Sequence, residues 1–161
     1  DPDILETNNR TLTVDCFLDQ IKMVREVSNL YIALYSITGI PGSDVETQKK
    51  TLKFCDMLFK EGLVDEIKNA LYVPYPVDGV CYADRGITLL SEDWENYDRQ
   101  SFPVFKTDRL SADELWELYI YTAKSINQSW LESLGFNSFD DVPEIEGYYT
   151  EYIQDKYLGG N

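Results

Sequence analysis

The chain has 161 residues, 43% hydrophobic and 27% charged, which suits one folded domain of about 100–200 residues and lies far from the composition of disordered chains. Its formal charge of −15, from 29 acidic against 14 basic residues, repels a phosphate backbone and argues against nucleic-acid and anionic-membrane partners. Histidine is absent, which excludes Ser-His-Asp and Cys-His catalysis and histidine-rich metal sites from this chain.

No apolar run approaches the roughly 18–20 residues that span a bilayer, and no basic-apolar-small leader opens the sequence, so a cytoplasmic location is expected. The chain opens on Asp1-Pro2 without methionine, from which a segment upstream is expected. Three cysteines, Cys16, Cys55 and Cys81, cannot all pair within one chain, so no disulfide scaffold is expected. Cys16 and Cys55 read as small buried hydrophobes, and Cys81 falls in a loop.

Between Thr13 and Ser28, the residues Val14, Phe17, Leu18, Ile21, Val24 and Val27 recur on one helical face, with Thr13 placed to cap the first turn. Leu30 to Ile37, LYIALYSI, is nearly continuous in apolar, aromatic and β-branched types, the pattern of a parallel strand covered on both faces. Thr38-Gly39-Ile40-Pro41-Gly42 breaks that strand, and Ser43-Asp44-Val45-Glu46 has capping-box spacing. The helix that follows buries Leu52, Cys55, Leu58 and Phe59 and stops at Gly62.

A second strand is expected over Ile67 to Val73, ended by Pro74-Tyr75-Pro76, because proline lacks the amide a ladder needs. Val77 to Asp108 reads as irregular, with one short strand at Pro103–Lys106. Ser111-Ala112-Asp113-Glu114 is another capping box, leading a long helix through Leu115, Leu118, Tyr119, Thr122, Ile126 and Trp130 toward Gly135. From Asp140 the tail is acidic and tyrosine-rich, with a short helix expected between Pro143 and Gly159-Gly160.

Chemistry concentrates at one place. A glycine-rich loop followed by a capped helix sets free amides and a positive dipole end at the C-terminal edge of a parallel strand, where α/β folds bind ligands. A plain turn accounts for the same residues, and no Gly-Lys-Ser/Thr marks a P-loop. Tyr72, Val73 and Tyr75 end the next strand on the same edge and could share a pocket with Ile37. Glu144, Glu146 and Glu151 read as a solvated face or as contacts for a basic partner.

The run YIALYSITGIPGSDVETQKKTLKFCDMLFKEG, then YVPYPVDGVCY, then DW and RLSADEL, resembles the C-terminal half of a radical S-adenosylmethionine enzyme barrel. It is most similar to the cobalamin-associated group, and the resemblance covers roughly residues 3 to 125. It implies an α/β fold: the second half of a partial (β/α) barrel with parallel strands over residues 1–109, then a long helix and helical tail over 110–161. It implies S-adenosylmethionine as cofactor, with Tyr35, Ile37, Gly39, Pro41, Gly42, Tyr72 and Val73 lining its site and Tyr75 on the substrate side.

The family's cluster loop, CxxxCxxC, has no counterpart here. The resemblance therefore puts the [4Fe–4S] cluster and cobalamin on upstream parts of a parent enzyme, with the isolated chain inactive. The implied chemistry is reductive cleavage of S-adenosylmethionine and hydrogen abstraction from a small-molecule substrate, with methyl transfer and cyclisation both open. The missing strands leave an edge on Leu30–Ile37 prone to self-association. Ser43 and Asp44 replace the acidic residue and threonine that often follow the family's Pro-Gly, and Val77-Asp78 replaces its Gly-Thr. The rival reading is a non-catalytic acidic module that binds a protein. A standalone hydrolase is weaker, since without histidine a nucleophile would need a carboxylate or lysine base.

Overall fold

The computed structural model describes Ile4, Asn8 and residues 11–75, 82–99 and 102–138. Thr13 caps helix α1, Val14–Val27, by accepting the Cys16 amide at 3.2 Å. Ile21 is the buried anchor of α1, with Phe17 and Leu18 packed beside it. Val27, expected on the apolar face, is exposed at the helix end.

Strand β1 spans Ala33–Thr38, three residues later than the apolar run predicts. The cause lies in the lead-in, where side chains claim the backbone. Arg25 donates to the Leu30 carbonyl at 2.8 Å, and Asp65 accepts the Ile32 amide at 2.8 Å. Helix α2, Val45–Lys60, follows, and then β2, Glu66–Leu71, runs parallel to β1 from Ala33↔Glu66 to Thr38↔Leu71. The pairing of the two strands is thus as expected from the sequence, although β2 ends two residues before Val73. Leu71 turns its amide to the Arg99 carbonyl at 2.9 Å.

The α2 cap departs from the expected spacing. Ser43 donates its hydroxyl to the Ile40 carbonyl at 2.6 Å, closing the turn, so Asp44 becomes the cap and pairs reciprocally with Thr47. At the other end the helix stops at Gly62, whose φ of 65° reverses the chain.

The stretch read as irregular contains a second sheet. Strands β3, Ile87–Leu89, and β4, Phe105–Thr107, pair antiparallel with Ile87 opposite Thr107 and Leu89 opposite Phe105. Each has three residues, too short for an alternating pattern to declare itself. Helix α3, Ala112–Ser133, opens on the expected Ser111/Glu114 capping box. The tail helix expected after Pro143, and Cys81, lie outside the described residues.

Two apolar clusters meet under α3. Ile21, Cys55, Leu58, Phe59, Ile67 and Ile126 form one, and Leu71, Ile87, Phe105, Leu110, Leu115 and Leu118 form the other. Both draw on the same face of the parallel sheet. The opposite face is open among the described residues: Tyr35 is 65% exposed and Ile37 40%. The strand expected to be covered on both sides is therefore covered on one, because α2 and α3 pack on the side of Leu34 and Ile67. Among the described residues β1 pairs with β2 alone, and no helix is long and apolar enough to cross a membrane.

Arg25 holds the corner of this arrangement. Beyond Leu30 it donates to the Leu63 carbonyl at 3.0 Å and forms an ion pair with Asp65, whose side chain is fully buried. Removing one partner of such a pair leaves the other charge buried and unmatched. Arg25→Ala should cost about 3–5 kcal/mol in denaturant unfolding, and Arg25→Lys should recover only part of it, lacking the planar fork.

Candidate functional site

The loop between β1 and α2 ends at the C-terminal edge of the sheet, beside the residues that follow β2. There a cleft of ≈ 570 Å³ opens, and Ile37 and Tyr72 both line it. Ile40 from the loop, Phe17 from α1, and Thr51 and Phe54 from α2 complete much of its wall, with Ile4 and Asn8 also on it. The Phe17 and Phe54 rings approach to 6.2 Å between centroids. Asn8 donates to the Pro41 carbonyl at 3.2 Å, tying the chain's beginning to the loop.

The other expected residues lie around the cleft rather than on it. Tyr35 stands on the open sheet face, two residues before Ile37. Val73 is half-buried, and its carbonyl accepts the Tyr75 amide at 2.9 Å. Tyr75 is exposed, with Arg99 5.9 Å above its ring and the Tyr82 hydroxyl on its carbonyl. Pro41 is buried, and Gly42 adopts a φ of 84°. Tyr72 packs edge-on against Phe105 at 5.8 Å, and burial pushes its phenol above the ordinary 10.0, with Arg85 acting in the opposite direction.

Gly39 has a packing role. Its φ is 82°, and a Cβ there would meet Leu115 Cδ2 at 2.9 Å, with Phe105 and Leu71 behind. The close approach that a glycine permits is filled by helix α3.

The start of α2 is likewise partly occupied. Asp44 holds the Thr47 amide at 2.9 Å with one carboxylate oxygen and receives Arg109 at 3.0 Å on the other. The negative charge that a helix start attracts is supplied by the chain itself. These bonds, the Thr47 amide foremost, hold the Asp44 carboxyl below its ordinary 3.8.

Of the two described cysteines, one is exposed and one buried. Cys16 is exposed rather than buried as expected, because it sits on the outer side of α1, where its sulfur accepts Gln20 at 3.5 Å. Cys55 is buried, which pushes its thiol up to about 11 and keeps it protonated at neutral pH. Among the described residues no group of three or more Cys, Asp or Glu side chains is placed to hold a metal ion.

Sequence reasoning missed Ile40, Phe17, Phe54 and Gln48. The signal for Gln48 was present: it lies seven residues before Cys55, a polar residue on the apolar stripe of α2. It is 3% exposed, and its side-chain nitrogen has no hydrogen-bond partner. No protein-family model matches the chain, nor does any curated protein or solved structure.

Two predictions follow from this geometry. Gly39→Ala should destabilise the fold by about 1–3 kcal/mol through the Leu115 contact, and Leu115→Ala by about 2–5 kcal/mol. In a double-mutant cycle by urea unfolding, the pair together should cost at least about 0.5 kcal/mol less than the two separate costs added. Asp44, with its lowered pKa, contributes stability above its unfolded value that disappears as pH falls through the folded one. Asp44→Asn keeps the cap but never ionises. It should be less stable than the wild type by about 0.5 kcal/mol near neutrality and should converge with it as pH falls through the folded value, as read from urea unfolding at each pH.

Proposed function

We propose that this chain forms part of the cofactor and substrate wall of a radical S-adenosylmethionine enzyme of the cobalamin-associated group. The observation that carries the reading is that Ile37, in β1, and Tyr72, the residue after β2, line one cleft at the C-terminal edge of the two parallel strands. A volume of ≈ 570 Å³ falls in the ordinary range of small-molecule sites, about 300–1,000 Å³. Ile37 keeps 40% of its surface exposed, enough to offer a flat apolar face to an adenine ring.

In this reading β1 and β2 are the fifth and sixth strands of a partial barrel, and the upstream strands pair on the outer edge of β1. In their absence that edge favours a second copy. In such enzymes S-adenosylmethionine, cleaved at an iron–sulfur cluster, supplies a radical that abstracts hydrogen from substrate. In this reading the cluster and any corrinoid belong to the upstream half, since the sequence has no CxxxCxxC. What these residues do is bind and orient: Ile37 and Ile40 exclude water from the adenosyl face, and Tyr72 and Val73 close the side of the sixth strand. The reading puts the parent enzyme in the cytoplasm.

Ile37→Ala tests the assignment. The exposure of Ile37 means that truncation leaves little cavity, so melting without ligand should stay nearly unchanged. Calorimetric titration of S-adenosylmethionine into the longer protein this reading requires should show affinity lower by about 5–150-fold, from about 1–3 kcal/mol of lost apolar contact. Wild-type protein that binds no S-adenosylmethionine would return the chain to the rival reading, an acidic protein-binding module. Gly39→Val does not discriminate, because the Leu115 clash unfolds the site under either reading.

A further inference from the structure

Gln48 lies four residues beyond the Asp44 cap, where α2 turns its apolar stripe inward. A side-chain amide buried to 3% exposure with its nitrogen unpaired is costly unless something supplies an acceptor. The residue lines a recess of ≈ 40 Å³ together with Ile4, Ile37, Ile40, Ser43, Thr47 and Thr51.

The hydroxyls of that recess are already committed to the backbone. Ser43 donates to the Ile40 carbonyl at 2.6 Å, Thr47 to the Asp44 carbonyl at 2.9 Å, and Thr51 to the Thr47 carbonyl at 3.2 Å. Among the described residues lining the recess, Gln48 alone keeps an unpaired buried donor. Ile4, Ile37, Ile40 and Thr51 line both this recess and the ≈ 570 Å³ cleft, so the two share a wall. Beyond it stand the Phe17 and Phe54 rings.

We propose that cleft and recess together bind an uncharged ring that carries one hydrogen-bond acceptor, the ring against the apolar wall and the acceptor on the Gln48 amide. The recess exceeds the roughly 10–15 Å³ that a single water-sized group needs, so a carbonyl oxygen or ring nitrogen has room. Lys50 also lines the cleft, so only the part of the ligand that lies against Ile37, Ile40 and the two phenylalanines has to be uncharged, because an ion there would lose its hydration. The proposal goes beyond the cofactor reading and does not rest on it, since it concerns the atom a ligand must offer and uses no S-adenosylmethionine.

The test compares acetophenone with ethylbenzene, which has a methylene in place of the carbonyl and so lacks the acceptor. Each is titrated into the ¹⁵N-labelled chain and into Gln48→Leu, followed by NMR. The wild type should prefer acetophenone by about 3–10-fold, the size of one neutral hydrogen bond, and the Gln48 side-chain amide signal should shift with acetophenone but not with ethylbenzene. Gln48→Leu should bind both equally. Leucine is close to glutamine in volume and removes an unpaired buried group, so the variant should fold; should it not, the wild-type preference and amide signal decide. Equal binding in the wild type, a preference that survives in Gln48→Leu, no binding of either probe, or shifts mapping instead to a separate groove, lined by Leu90, Phe102 and Val104, would each overturn the proposal.

Discussion

Arg25 engages three groups at once: the Leu30 carbonyl, the Leu63 carbonyl and the Asp65 carboxylate. Asp65 in turn accepts the Ile32 amide, and its own amide donates to the Ile32 carbonyl at 2.9 Å. The lead-ins to both parallel strands are thereby pinned side by side just before Ala33 and Glu66 pair. A slip by one residue would exchange the covered and open faces of a strand, which the apolar core beneath this ladder already disfavours. Here the slip is opposed by a buried charge that has one place to sit. The position of Ile37 opposite Ala70, and so the floor of the cleft, follows from that corner.

Helix α3 completes the arrangement from above. Asn69 on β2 accepts the Thr38 hydroxyl at 3.1 Å and donates to the Tyr119 carbonyl at 3.3 Å, so one amide joins both strands to the helix. Lower down, Leu115 fills the space that Gly39 leaves open. The loop after β1 is shaped by what lies beneath it as much as by its own prolines and glycines. Trp116 stacks on Tyr119 with ring centroids 5.4 Å apart and lies near Phe102, extending the contact toward the β3–β4 sheet.

Much of this was legible in the sequence, for reasons specific to each element. The Ser111 box announced α3, because the cap and its reciprocal partner sit within one turn and need nothing from elsewhere. The two parallel strands showed themselves as apolar runs bounded by breakers. The Asp44 cap was misplaced by one residue, because Ser43 and Asp44 are both good caps and the decision belongs to the Ile40 turn. The start of β1 was hidden because Arg25 and Asp65, far away in sequence, claim its first backbone groups. In the candidate site, Ile37 and Tyr72 were readable as strand ends, whereas Phe17 and Phe54 enter only once α1 lies on α2. Gly39 offered no local hint that its open side faces Leu115.

The Arg25–Asp65 link joins residues 40 apart in the chain, across the whole β1–α2–β2 turn. Such a contact cannot form until the crossover has already closed, although α2 can begin from its own cap and local bonds. The guanidinium therefore acts as a latch across that crossover. Helix α1 is held at its C-terminal end by this latch, and Phe17 of α1 is one wall of the cleft. Opening the latch would free that end of α1, so a single guanidinium governs both the lead-ins of the strands and one wall of the cleft.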